Sequence, residues 1–113
     1  MFDRLKRKIP SRRDVRYLWQ RLTRGWDDSE TWSLDYSLAK LILPRLKRFQ
    51  EIRGGHPAEM TDQEWNDILK EMIGGFEFLA SDDRWACPEN DIRYQKAQAA
   101  IELFSKYYLH LWT

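Results

Sequence analysis

The sequence predicts an all-α fold: a compact bundle of four main helices with a short N-terminal helix. Apolar residues recur at helical spacing through most of the chain. Cap and stop residues fall at the ends of those runs. No run of alternating apolar and polar residues marks a strand, and no internal repeat is present. At 113 residues the chain fits one helical domain, 1–113, large enough to bury a core without staples.

Taken in order, Met1 to Ile9 forms a short amphipathic piece with Phe2, Leu5 and Ile9 at helical spacing, interrupted by Pro10. Ser11 can cap a helix from Arg12 to Arg24, whose apolar face carries Val15, Leu18, Trp19 and Leu22. Arginines fill the rest of its surface, and Gly25 ends it as a C′ residue.

Asp27, Asp28 and Ser29 give the next start signal. The long helix they open is expected from about Ser29 to Arg53 and to organise the bundle. Leu34, Leu38, Leu41 and Phe49 lie on one face, and Trp32, Tyr36, Ala39, Leu43 and Leu46 on a second. Apolar residues on two adjacent faces predict burial on more than one side. Pro44 removes a backbone donor and predicts a kink, the alternative being two shorter helices meeting there. Gly54-Gly55 ends the element.

Thr61 and Glu64 make a capping box for a helix bearing Trp65, Ile68, Leu69, Met72, Ile73, Phe76 and Leu79. Gly74 and Gly75 inside it cost about 1 kcal/mol each relative to alanine. Close approach of a neighbouring helix, or a local break, would account for them. Ser81 to Asn90 reads as irregular. Asp91 to Trp112 reads as the last helix, with Ala97, Ala99 and Ala100 permitting tight contact.

Composition bounds the function. One cysteine, Cys87, excludes an internal disulfide framework and fits a reducing compartment. The basic N-terminal stretch lacks the apolar run of a secretory signal, and no segment reaches the roughly 18 apolar residues of a membrane span. A cytoplasmic protein with no membrane partner is expected. Near-balanced overall charge disfavours a purely electrostatic nucleic-acid binder. The charge is divided along the chain, however. Residues 1–53 carry 14 Lys and Arg against 7 Asp and Glu, and residues 54–113 carry 5 against 11.

Candidates for chemistry are few. Asp35, Glu64, Asp67 and Glu71 could gather a metal as in all-helical nucleotide hydrolases, but their spacing is looser, and Glu64 is explained by capping. Cys87 and the histidines His56 and His110 lack the flanking residues of a nucleophile site. Neither glycine pair sits in a phosphate-binding loop. No cofactor and no catalytic residue is expected.

Six tryptophans exceed what one small core needs. Trp19, Trp26, Trp32 and Trp65 are expected in the core or at its edge, whereas Trp85 and Trp112 suit a subunit contact or a stacking platform. Arg12, Arg13, Arg16 and Arg24 could join Arg45, Lys47 and Arg48 in one basic patch if the flanking helices pack antiparallel.

The run from Trp19 to Asp35, WQRLTRGWDDSETWSLD, resembles a family of small tailed-phage proteins of uncharacterised function. The resemblance continues through Ala39-Lys40, Leu43 to Lys47 and the Thr61 to Phe78 helix with its Glu64-Trp65 pair. It covers roughly residues 15–80. It implies a phage-encoded accessory protein, and small phage proteins without catalytic motifs are often inhibitors of host defence proteins or sponges for nucleotide immune signals. The expectation is a non-enzymatic counter-defence protein that self-associates and binds a nucleotide ligand or a host defence protein. Arg24, Trp26, Trp32, Arg45 and Arg48 are the expected binding residues. A metal-dependent nucleotide hydrolase, or a phage structural or DNA-metabolism accessory protein, is the alternative.

Overall fold

The computed structural model describes residues 11–112. It is all-α, with helices α1 (Arg12–Arg24), α2 (Leu34–Ile52), α3 (Asp62–Leu79) and α4 (Ile92–Tyr107), and 3-10 turns at Asp28–Thr31, Asp82–Ala86 and Tyr108–His110. Among the described residues there is no strand. The expected short helix at residues 1–9 lies outside the described residues. The chain forms two compact units, one ending at Leu34 and one beginning at Asp35.

The N-terminal unit contains α1 and the first 3-10 turn. Ser11 caps α1: its hydroxyl accepts from the Asp14 amide at 3.1 Å, and the Asp14 carboxylate accepts from the Ser11 amide at 3.2 Å. At the other end Gly25 takes the left-handed conformation, φ 87°, and its amide donates to the Arg21 carbonyl at 2.9 Å. Both boundaries match those read from the sequence.

The face that α1 buries does not match. Val15, Leu18, Trp19 and Leu22 are all exposed, and the buried residue of the helix is Tyr17. At about 100° per residue, Tyr17 falls opposite that stripe, on the side of Gln20, Arg21 and Arg24. The chain after Gly25 folds back over this polar side. Asp28 takes hydrogen bonds from Gln20 at 2.8 Å and Arg24 at 2.6 Å, Arg21 pairs with Asp27, and Trp32 stacks edge-on against Tyr17 with centroids 5.9 Å apart. The acids after Gly25 outcompete the apolar stripe because they neutralise arginines on the adjacent turn at short loop length.

Those acids also correct the start of the long helix. Asp27 caps the 3-10 turn Asp28–Thr31, with its own amide donating to Glu30 at 2.7 Å, and α2 begins only at Leu34. The expected cap is present, one element earlier. The helix then runs unbroken through Pro44 to Ile52, so the two-helix alternative does not hold. Pro44 leaves the Lys40 carbonyl without its helical donor. In the same stretch Arg45 turns back to donate to the Leu41 carbonyl at 2.8 Å.

In the C-terminal unit the core is organised around α3 rather than α2. Trp65, Leu69, Met72, Ile73 and Phe76 of α3 are buried, against only Ala39 and Leu46 of α2. Leu38 and Leu41 are exposed, so the two-faced burial expected of α2 is not realised. Residues of α4 close the other side of α3: Tyr107 meets Trp65 edge-on at 5.6 Å and Phe104 meets Phe76 at 5.5 Å. At Gly75 the α3 backbone lies directly against Ala97 and Ala100 of α4. Close helix approach therefore explains Gly75, and α3 is not broken there. Gly74 faces open space.

The last two segments are more regular and shorter, respectively, than expected. A 3-10 turn, Asp82–Ala86, interrupts the supposed irregular stretch, and α4 starts after an Asp91 cap and ends at Tyr107. Arg53, just past α2, pins the following connection by donating to the Gly55 carbonyl at 3.1 Å and to Asp62 at 2.7 Å.

Candidate functional site

The five expected binding residues divide between the units. Arg24, Trp26 and Trp32 belong to the N-terminal one, and Arg45 and Arg48 to the C-terminal one. Arg24 lies over the Trp26 ring, 3.8 Å from its centroid, while its Nε donates to the Trp26 carbonyl at 3.0 Å. Its other end holds Asp28, and this contact, followed by the Gln20 hydrogen bond, keeps the Asp28 carboxyl below its usual value. Arg24 therefore braces the Gly25–Asp28 corner. Trp32 belongs to a separate cluster with Tyr17 and Arg13, whose guanidinium lies 5.9 Å from the Trp32 centroid. Arg16 stacks on Tyr17 from 5.5 Å.

In the C-terminal unit Arg45 is occupied by the Leu41 carbonyl, and Arg48 pairs with Glu51 at 3.0 Å. Lys47 reaches Glu77 at 3.5 Å. Each expected cation thus has a hydrogen-bond or ion-pair partner on its own or a neighbouring element.

Asp27 is the one buried charged side chain among the described residues. Hydrogen bonds from Ser29, and then from Arg21, depress its pKa, so it stays ionised as the anchor of the 3-10 turn. Its chemistry is structural.

Three of the four carboxylates of the hydrolase alternative are likewise engaged. Asp35 pairs with Arg84, which depresses its pKa; Glu64 completes the Thr61 capping box; Asp67 accepts from Gln63 at 2.9 Å. No group of three or more potential metal ligands gathers among the described residues. Burial pushes the Cys87 thiol up, away from the nucleophilic thiolate.

The two histidines, distant in sequence, come together without Cys87. His56 and His110 line one cavity of about 190 Å³ with Gly54, Gly55, Trp65 and Trp112. The His56 Nδ1 lies 2.9 Å from the Pro57 carbonyl, which favours the tautomer with its proton on Nδ1.

Of the six tryptophans only Trp65 is buried. Trp19, Trp26 and Trp32, expected in the core or at its edge, are 66%, 45% and 66% exposed. Trp19 stands in the middle of the outward stripe of α1, beside Leu18 at 50% and Leu22 at 73% exposure. Sequence periodicity found these residues but assigned them to the core. Tyr17, out of phase with the stripe and flanked by arginines, was the signal that the buried side lay elsewhere.

Comparison with protein-family models, curated proteins and solved structures gives no match for this chain. No helix among the described residues is long and apolar enough to cross a membrane.

Proposed function

We propose that this chain is a phage-encoded, non-enzymatic accessory protein that captures a host defence protein through the outward face of α1. The phage setting rests on the resemblance carried by Trp19 to Asp35. The observation that carries the binding mode is the exposed stripe Val15, Leu18, Trp19 and Leu22, at i, i+3, i+4 and i+7. An amphipathic helix with this spacing inserts its anchors into an apolar groove of a partner. Tryptophan and leucine there supply large apolar area, and tryptophan is enriched among interface residues that dominate affinity.

Arg12 and Arg16 border the stripe, so the complementary groove carries an acidic rim. A protein partner is favoured over a nucleotide because Arg24, Arg45 and Arg48 already have internal partners. A non-enzymatic role is favoured because Asp35, Glu64 and Asp67 are engaged in pairing and capping.

A photo-activatable residue at position 22, compared with one at position 48, tests this in bacterial cells expressing the full chain. Position 22 should give one discrete adduct with a host protein, and position 48 none. An adduct only with a second copy, or equal labelling from both positions, would overturn the reading.

A further inference from the structure

The cavity of about 190 Å³ in the C-terminal unit brings together the only two histidines of the sequence. His56 lies in the connection between α2 and α3, and His110 in the 3-10 turn that follows α4. Both side chains are exposed, so a solute reaches them directly from solvent.

His56 is oriented for ligation. With its Nδ1 donating to the Pro57 carbonyl at 2.9 Å, the neutral imidazole carries its lone pair on Nε2. A backbone carbonyl on one ring nitrogen is the usual support for a histidine that binds a metal through the other. His110 packs beside Tyr107, ring centroids 6.2 Å apart, and its nitrogens take part in no hydrogen bond among the described residues.

The surroundings favour a cation over an anion. Gly54, Gly55, Trp65 and Trp112 line the cavity beside the histidines, and none brings a charge. Arg53 starts the same connection, but its guanidinium donates to the Gly55 carbonyl at 3.1 Å and pairs with Asp62 at 2.7 Å. An anion entering here would meet a committed arginine, whereas two neutral imidazoles offer lone pairs. Imidazole suits nickel, copper and zinc, while magnesium and calcium take oxygen ligands. Two protein ligands fall short of the four in a closed structural zinc site, so water fills the remaining positions. At about 30 Å³ per water the cavity has room for that shell.

We propose that His56 Nε2 and the His110 imidazole together bind one late first-row divalent ion. The bound ion clips the α2–α3 connection to the turn after α4, a long loop closed by one coordination site.

Untagged full chain titrated with zinc chloride, followed by NMR of the imidazole ring nitrogens, tests this. Every imidazole signal reports the site, because the chain has no third histidine. Zinc should move the His56 Nε2 signal and one His110 nitrogen together, saturating at one ion per chain, and His56 Nδ1 should keep its proton. Saturating zinc should also raise the melting temperature. H56A and H110A should each bind zinc at least about tenfold more weakly, as expected when a two-point attachment is reduced to one. Both variants should keep their metal-free circular dichroism, since the positions are exposed. C87S should bind zinc as the unaltered protein does. Copper should bind more tightly than nickel, and nickel more tightly than cobalt. Undiminished zinc binding by H110A, movement of one ring without the other, or an equal response to magnesium would overturn the proposal. None of these outcomes bears on the α1 surface, which crosslinking from position 22 tests separately.

Discussion

Gly75 of α3 and Ala100 of α4 meet without room for a methyl group between them. A Cβ on Gly75 would collide with the Ala100 side chain while also lying 3.2 Å from the Lys96 carbonyl and 3.3 Å from the Ala97 Cα. Two of those three neighbours are backbone and cannot step aside. Gly74, one residue earlier, has open space around it. G75A should therefore destabilise the C-terminal unit by about 1–3 kcal/mol through overpacking. G74A should stabilise it by about 1 kcal/mol through helix propensity alone. Urea unfolding of the two variants checks the opposite signs.

Pro44 offers a second stability test. It is exposed within an unbroken helix, and its ring removes the donor for the Lys40 carbonyl. P44A should restore that hydrogen bond and raise the urea midpoint, by up to about 3 kcal/mol of stability. An unchanged or lowered midpoint would mean that a bend at Pro44 is needed by the packing of α2.

The inverted packing of α1 predicts a contrast between neighbouring residues. Y17L keeps apolar bulk but loses the edge-on contact with Trp32, a loss of about 0.5–1.5 kcal/mol. Amide exchange in α1 should accelerate roughly three- to tenfold, since 1.4 kcal/mol is a factor of ten. W19S, on the exposed side, should leave α1 exchange nearly unchanged, as surface substitutions usually fall within about 0.5 kcal/mol.

Asp91 gives a pH prediction. It caps α4 by accepting from the Arg93 amide at 2.8 Å, and the Arg93 guanidinium reaches it at 3.1 Å. The Arg93 side chain first, and then that amide, lower the Asp91 pKa from its ordinary 3.8 to about 2. Between these values the unfolded chain binds more protons than the folded one, so stability rises with pH there. The contribution is complete above the ordinary value and is lost as pH falls towards 2. D91N retains a capping side chain without the charge. Its stability should therefore fall less steeply than that of the unaltered protein between pH 4 and 2, measured by urea unfolding. Parallel curves would contradict the assignment.

Local signals were legible in the sequence because they act over a few residues. The Ser11 cap, the Thr61 capping box and the Gly25 stop all lie where residue type alone placed helix ends. Which face each helix buries was harder to read, because periodicity identifies an apolar stripe without saying what covers it. The α1 stripe points outward because Asp27, Asp28 and Trp32 take the opposite side. The central position went to α3 because its apolar arc meets both α2 and α4, a fact of tertiary packing. Arg24, Arg45 and Arg48 looked available in sequence because their partners, Asp28, a backbone carbonyl and Glu51, are fixed only by the fold. The meeting of His56 and His110 had no sequence signature at all, since the two lie on segments far apart in the chain.

The proposed capture of a host protein by α1 is tested most directly by quantitative affinity purification of the full chain from host cells, in three forms. The unaltered protein and the R45A/R48A variant should recover the same host protein in equal amounts. The L18D/L22D variant, altered only at exposed positions, should recover at least tenfold less while keeping its helical circular dichroism and melting temperature. Undiminished recovery by L18D/L22D, or its loss in R45A/R48A, would contradict the assignment of the α1 stripe as the binding surface.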